Sequence, residues 1–236
     1  MKQVALKKFT PTEVQTWKIL FERQSLKRDQ QLIPQFSKGL NALGMSADRI
    51  PDLDDVNARL RKLTGWEGVP VEGLEDGQSF YEMLSLKKFP IGNFIRDEKD
   101  LSYTPAPDIF HDLYGHIPFY TDSAYAEFCQ EYGRRATQFK NSPKILREFE
   151  RFFWFTVEFG LVETAQGRRI FGAGIGSSFG ECEYALSNQP QIIDFDVEVL
   201  RQQEFRIDVF QEKLFVMKNV EQIYSSLDEF TRPYRG

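Results

Sequence analysis

The chain has two histidines, His111 and His116, and they stand five residues apart in the segment from Tyr103 to Pro118. Imidazole is the commonest protein ligand for transition metals, so this pair supplies half of a metal site from one stretch of backbone. The spacing constrains how that happens. On a regular α-helix, residues five apart point roughly 140° away from each other, so both rings reach one ion only where a helix is distorted or ending. Gly115 and Pro118 are residue types that end helices. With no third histidine, the remaining ligands have to be carboxylate, water or thiolate.

Glu158 offers the carboxylate. It stands alone among Phe152, Phe153, Trp154, Phe155, Val157, Phe159 and Leu161, and a buried carboxylate needs a cation or a proton. A metal is one such cation; a lysine or arginine from another helix, or an exposed place at a helix end, fits the segment as well. Two neutral imidazoles and one carboxylate with open positions make the facial triad of non-haem Fe(II) enzymes that activate oxygen, and His111, His116 and Glu158 match it. Cys129 and Cys182 have no CxxC neighbour and read as buried free cysteines.

The elements that must position these groups read as mainly helical. Thr10-Pro11-Thr12-Glu13 has the pattern of an N-cap, a first-turn proline and a capping box. It predicts a helix to about Lys27 with Val14, Trp17, Leu20 and Phe21 at core spacing. Further helices are predicted from Asp29 to Leu43, with Pro34 tolerated near the start, and from Asp52 to Leu63, with Asp52 as N-cap. The stretch from Gly65 to Gly77 is too rich in glycine for a helix and is either a plain loop or a binding loop. A short helix from Ser79 to Leu86 leads into extended or irregular chain from Phe89 to Arg96. Ser123 is expected to cap the next helix, and Ser142-Pro143 to open a long one with Glu158 in its middle. A strand is expected from Arg168 to Phe171, then a turn through Gly172 to Glu181 and a helix to Leu186. In that turn Ser177 and Ser178 either cap the helix or hold a ligand carboxylate or an imidazole. Short strands from Phe205 to Val209 and Lys213 to Met217 and a last helix from Val220 to Leu227 complete the chain.

Composition narrows the partners. The 236 residues are 41% hydrophobic, and the net charge of −5 comes from interspersed acids and bases, so neither a nucleic-acid surface nor a polybasic membrane patch is indicated. No apolar run approaches the roughly 18 residues of a membrane span, and the N-terminus lacks a signal-peptide core. A cytoplasmic protein acting on a small molecule is expected. The glycines match neither a Walker loop nor a dinucleotide fingerprint, and there is no repeat or coiled-coil run.

Taken together, the segments from Thr104 to Pro118, from Trp154 to Leu161 and from Gly172 to Glu181 resemble the tetrahydropterin-dependent aromatic amino acid hydroxylases. The likeness runs clearly from Thr64 to Leu186 and more weakly to Arg235. Its short flanks make the chain most similar to the bacterial members that act on phenylalanine. The resemblance implies a mainly α single catalytic domain with a few short β-strands over residues 1–236. Residues 1–64 would form a helical part, 65–186 the core for iron, pterin and substrate, and 187–236 the C-terminal strands and helix. The regulatory domain and tetramerisation helix of animal members would be absent, and a monomer is expected.

Roles follow from the same resemblance. His111, His116 and Glu158 would be the iron ligands and the catalytic centre. Arg96, eight residues before Thr104, would pair with the substrate α-carboxylate, which its planar fork suits. Thr104, Pro105, Pro107, Trp154, Phe159 and Gly174 would line the amino-acid pocket, with Val216 near the ring. Ser177 would hold the carboxylate or orient an iron-bound imidazole. Gly73, Leu74 and Glu75 would meet the rim of the pterin through main-chain groups, Phe80 would stack on it, and Asp112 would reach towards it. Asp112 stands where the family usually has the longer glutamate, Phe153 replaces a tyrosine beside the iron, and Ala106 replaces an acidic residue. Those departures bear on cofactor affinity and coupling.

The implied reaction is O2-dependent ring hydroxylation with Fe(II) and a tetrahydropterin, phenylalanine becoming tyrosine in phenylalanine catabolism. Tryptophan, tyrosine or another aromatic acid is the alternative substrate. Outside that class, the same ligands would suit a zinc hydrolase with Asp112 or Glu181 as base, or a metal-binding module.

Overall fold

Helix α1 (Pro11–Ser25) starts as its sequence dictates: the Thr10 hydroxyl accepts the Glu13 N–H, and the Glu13 carboxylate accepts the Thr10 N–H at 2.8 Å. The computed structural model describes residues 4–73, 77–99, 101 and 106–234. Leu74, Glu75, Thr104 and Pro105 lie outside the described residues. Along α1, Trp17, Leu20 and Phe21 are buried, as their spacing predicts.

The helix expected from Asp29 to Leu43 is in fact two, α2 (Arg28–Gln31) and α3 (Pro34–Leu43). Pro34 is tolerated at the first position of α3, but its ring disfavours helical backbone in the residue before it. Leu32 and Ile33 are therefore extended, and the Ile33 N–H donates to the Ile170 carbonyl at 3.1 Å. Helix α4 (Leu53–Leu63) is capped by Asp52, whose carboxylate accepts from the Asp54 and Asp55 N–H groups.

The glycine-rich stretch after α4 contains a strand, β1 (Glu67–Val71), which pairs in parallel with β2 (Lys88–Gly92) across α5 (Gly77–Ser85). Strands thus occur well before residue 168. Buried Asn57 ties α4 to β1 by accepting the Gly68 N–H at 2.7 Å and donating to the Gly68 carbonyl at 2.9 Å, a pairing that local sequence patterns do not announce.

Beyond the histidines, a 3₁₀ turn (Ile117–Thr121) leads to α6 (Ser123–Thr137). Its cap is Asp122 rather than Ser123: the Asp122 carboxylate accepts the Tyr125 N–H at 3.0 Å, a charge-assisted bond that a hydroxyl cannot equal. Helix α7 (Pro143–Phe153) follows. The C-terminal part comprises β3 (Leu161–Thr164), β4 (Gly167–Ile170), α8 (Ala173–Gly176), α9 (Phe179–Ala185), β5 (Gln191–Asp194), α10 (Val197–Gln202), β6 (Lys213–Met217) and α11 (Val220–Thr231). The four strands order as β4-β3-β6-β5, with β3 and β4 antiparallel and β6 parallel to both its neighbours. Phe205 to Val209, expected as a strand, is a loop. The Gln211 amide donates back to the Arg206 and Val209 carbonyls, so side-chain bonds satisfy groups that a strand ladder would have used.

The histidine segment threads the middle of this core. Phe110 and Tyr114, one helical turn apart, stack at 4.7 Å. Trp17 meets Phe110 edge-on at 5.2 Å, and Phe21 and Phe36 meet Tyr114 in the same way at 5.2 Å. Such pairs add about 0.5–1.5 kcal/mol each beyond their burial. Helix α3 presses on the turn after His116 because residue 39 is glycine: a Cβ there would lie 2.0 Å from the Pro118 carbonyl oxygen. The aromatic grip on one face leaves the imidazoles to the other.

Candidate metal centre and active-site cavity

Two helices are widened where the ligands sit. Residues His111–His116 form a π-helix, and the Ile117 N–H donates to Asp112 O, five residues back. Residues Trp154–Glu158 form a second, with the Phe159 N–H donating to Trp154 O at 2.8 Å. Closing each turn over five residues brings positions five apart nearly above one another. That resolves the spacing of the histidines, whose Nε2 atoms are 3.0 Å apart. Glu158 ends the second π turn instead of lying mid-helix. Its Oε1 is 3.0 Å from His116 Nε2 and its Oε2 3.7 Å from His111 Nε2.

The donor set fits a divalent metal. With metal–nitrogen bonds of about 2.1 Å, ligands at right angles lie about 3.0 Å apart, and the three donors here all fall within 4.8 Å of one another. The tautomer of His111 follows from its neighbour. Ser177 Oγ–H donates to the Gly174 carbonyl at 3.3 Å, so Ser177 Oγ accepts from His111 Nδ1–H at 3.0 Å. This leaves His111 Nε2 with a bare lone pair aimed at the centre. His116 is held by packing instead: Phe89 lies 4.7 Å and Phe153 6.3 Å from its ring, and its buried Nδ1 has no hydrogen-bond partner among the described residues.

Electrostatics agree with the geometry. Burial pushes the His111 imidazole down to about 4, against the pull of Glu158. Burial would raise Glu158, yet His116 and then His111 outweigh it and hold the carboxyl below its usual value. At neutral pH His111 is therefore neutral and Glu158 ionised, the forms that bind a cation.

Asp108 organises this region, and the sequence reading passed over it. The carboxylate is fully buried and accepts from Arg96 N at 2.9 Å, Arg96 Nε at 2.8 Å, Arg96 Nη2 at 2.9 Å and His111 N at 2.9 Å. Burial opposes its charge, but the Arg96 guanidinium prevails and holds the carboxyl below its ordinary range. The available signal was an aspartate directly after Pro107 and three residues before His111, the pattern of a helix cap.

A cavity of about 370 Å³ opens on the three ligands. Of the residues expected around it, Gly73, Phe80, Pro107, Asp112 and Trp154 line it. Among the described residues that line it, Arg96, Phe159, Gly174 and Ser177 do not appear. Two nitrogens of the Arg96 fork are committed to Asp108, and among the described residues Nη1 makes only a long contact, 3.4 Å to Leu101 O. Phe159 packs on Trp154 at 4.6 Å. Gly174 underlies Glu158, where a Cβ would meet Oε2 at 2.9 Å. Asp112, expected to reach for a pterin, accepts the Gly92 N–H at 2.6 Å, and burial raises its carboxyl well above the usual value. Among the described residues Glu181 does not line the cavity, and one oxygen of Asp112 is bonded to the backbone. Phe89 and Phe205 are wall residues that sequence reasoning missed. Phe205 comes from the loop mistaken for a strand, and no local pattern marks it.

Comparison with known proteins gives a consistent result. Residues 2–235 match the family model for biopterin-dependent aromatic amino acid hydroxylases. The chain is 39% identical to the phenylalanine-4-hydroxylase of Caulobacter vibrioides over 90% of its own length and 72% of that protein. A structure of Chromobacterium violaceum phenylalanine hydroxylase with bound iron(III) and oxidised cofactor 7,8-dihydrobiopterin superposes with a TM-score of 0.92 at 34% identity, covering 98% of this chain and 84% of that one. Phenylalanine hydroxylase from Legionella pneumophila matches with a TM-score of 0.89 at 38% identity, covering 97% and 92%. Among the described residues no helix is long and apolar enough to cross a membrane.

Two outcomes are expected. Ser177→Ala frees the His111 ring and tautomer, and should weaken Fe(II) or Co(II) affinity roughly 10–100-fold, read by competition with a chromophoric chelator; unchanged affinity would remove Ser177 from metal binding. Glu181, whose Oε2 is buried without a partner among the described residues, is pushed up to about 7 by burial. Its folded pKa exceeds the unfolded value of about 4.3, so wild-type stability declines as pH rises from there through 7. Glu181→Gln should therefore raise the melting temperature at pH 8 and leave it nearly unchanged at pH 4; an equal gain at both would contradict the assignment.

Proposed function

The chain belongs to the biopterin-dependent aromatic amino acid hydroxylases, and from that premise we propose that it is an iron- and tetrahydropterin-dependent monooxygenase converting phenylalanine to tyrosine with O2. One observation carries the reading: the His111, His116 and Glu158 donors converge on a cavity walled by Phe80, Phe89, Phe153 and Trp154. Apolar walls with a few convergent polar groups suit a flat heterocycle beside an aromatic ring. A bound ferrous ion would supply, together with the tetrahydropterin, the activation of O2 that places one oxygen atom on the ring.

The chain's own residues do the positioning. His111, His116 and Glu158 would hold the ion where the cavity opens. Ser177 keeps His111 in the metal-binding tautomer. Phe80 offers its ring to the pterin, and its edge-on contact with Phe153 at 5.2 Å sets its plane. Gly73 contributes backbone groups at the pterin's rim. Arg96 anchors the substrate α-carboxylate through the nitrogen that Asp108 leaves free, while Pro107 and Trp154 wall the ring. Because Asp108 grips both the Arg96 guanidinium and the His111 backbone, one carboxylate sets the spacing between substrate anchor and metal ligand. Aromatic walls exclude water, which favours coupling of pterin oxidation to hydroxylation.

The test is amino-acid-dependent oxidation of a tetrahydropterin by the Fe(II)-loaded protein, with phenylalanine, tyrosine and tryptophan compared and the products identified by mass. Tyrosine formed from phenylalanine in step with pterin oxidation is expected; no hydroxylated product from any of the three overturns the reading. Arg96→Lys should raise KM for the amino acid roughly tenfold, since a lysine cannot reproduce the fork, and leave the pterin KM within about twofold. Lysine is the informative replacement because Arg96→Ala would strand Asp108 as an unpaired buried charge, destabilising the fold by about 3–5 kcal/mol. Equal shifts in both constants would remove Arg96 from carboxylate binding.

A further inference from the structure

Between α10 and β6 the chain crosses the cavity wall in a segment, residues 203–212, whose side chains face opposite fates. Ile207 is 71% exposed and Phe210 46%, whereas the polar Gln211 is 5% exposed. A buried amide in an exposed loop calls for a reason, and its bonds provide one. Gln211 Oε1 accepts the Trp154 indole N–H at 3.1 Å, and Nε2 donates to Arg206 O at 2.6 Å and Val209 O at 3.0 Å. The orientation of the amide is unambiguous, since an indole nitrogen only donates and backbone carbonyls only accept. Of these bonds, the one that leaves the segment runs to a residue of the cavity wall.

The same segment delivers Phe205. Its ring stacks on Trp154 with centroids 4.4 Å apart and planes 16° from parallel, and the Arg147 guanidinium lies 4.6 Å from its centroid. The neighbouring Glu204 is held by Arg147 at 3.4 Å and by Arg151. Trp154 and Phe205 both line the cavity. Trp154 also opens the π turn that ends at Glu158, so its indole is tied through a few residues of backbone to a metal ligand. With two rotatable side-chain bonds, an indole that lacks a partner for its N–H has other orientations available.

We infer that Gln211 is a positioning residue for the amino-acid substrate: by fixing the indole plane of Trp154, and Phe205 against it, Gln211 sets the wall that decides which aromatic ring the cavity accepts. The inference rests on the proposed hydroxylase reading for its substrate, while its structural half stands independently. Gln211 touches neither the donors nor the cavity and acts through Trp154.

The experiment uses the full chain loaded with Fe(II) and the near-isosteric Gln211→Met. KM for phenylalanine should rise roughly tenfold, the scale of one lost buried hydrogen bond, with the pterin KM within about twofold. In a Trp154→Phe background, which removes the indole N–H, Gln211→Met should add no further increase. Fluorescence supplies a readout apart from turnover. Trp17 and Trp66 are 0% and 1% exposed, so acrylamide quenching reports mainly on Trp154, with Trp154→Phe as the subtraction, and should increase about twofold in Gln211→Met. Parallel shifts of both KM values, an undiminished effect in the Trp154→Phe background, or unchanged quenching each overturns the inference. If Gln211→Met does not fold, Phe205→Leu keeps the Gln211 bonds and removes the stack; it should shift KM for phenylalanine but not for the pterin, and equal KM values to wild type overturn the role of the wall. Failure of the wild type to hydroxylate phenylalanine would sink the hydroxylase reading instead, and quenching would still decide whether Gln211 fixes Trp154.

Discussion

Two imidazole nitrogens 3.0 Å apart, with a carboxylate oxygen at the same distance from one of them, do not come together without help from the backbone. Each group gives up water to be there. The widened turns at His111–His116 and Trp154–Glu158 provide that help. A π turn is a rarer and less regular form than an α-helix, and it persists here because the aromatic side chains around it fix the backbone. Phe110 and Tyr114 lock the first turn into the core beneath Trp17, Phe21 and Phe36. Helix α7 runs into the second through Phe149, Phe152 and Phe153, all buried.

A second constraint links the candidate metal centre to Arg96. Asp108 is charged and fully buried, and among the described residues its carboxylate bonds to Arg96 and to the backbone of His111. A buried ion pair of this kind contributes little net stability, because desolvation offsets much of the attraction. What it provides is geometry. The guanidinium plane and the start of the histidine turn share one carboxylate, and neither can shift without disturbing the other.

The cavity wall comes from parts of the chain that are far apart in sequence. Phe80 arrives on α5, Phe89 on β2, Trp154 at the end of α7, and Phe205 from the loop before β6. The parallel pairing of β6 with β3 at Val216 and Leu161 holds that loop beside the Glu158 turn. The sheet thus serves the site indirectly, by fixing where the Glu158 turn and a wall-forming loop meet.

Much of this was legible in the residues. The capping box of α1, the Asp52 cap and the core spacing of Trp17, Leu20 and Phe21 are local matters, decided by bonds and packing within a few turns. The histidine spacing demanded a distorted helix, and three separated motifs pointed to a family and to the ligand set. Other features depended on partners that no window of sequence contains. Pro34 split a predicted helix because Ile33 could bond to Ile170, far along the chain. Asp122 displaced Ser123 as a cap, and Gln211 turned an apparent strand into a loop by bonding its carbonyls. Arg96 and Ser177 were expected close to ligand and metal; which partners they take, Asp108 for Arg96 and the His111 ring for Ser177, depends on contacts far along the chain. The sequence by itself determined which atoms could bind a metal and where the best-capped helices start, because those follow from residue chemistry and short-range periodicity. Only the tertiary structure decided which polar group each ligand leans on and which rings wall the cavity, because those choices depend on long-range contacts that close only when the whole core packs.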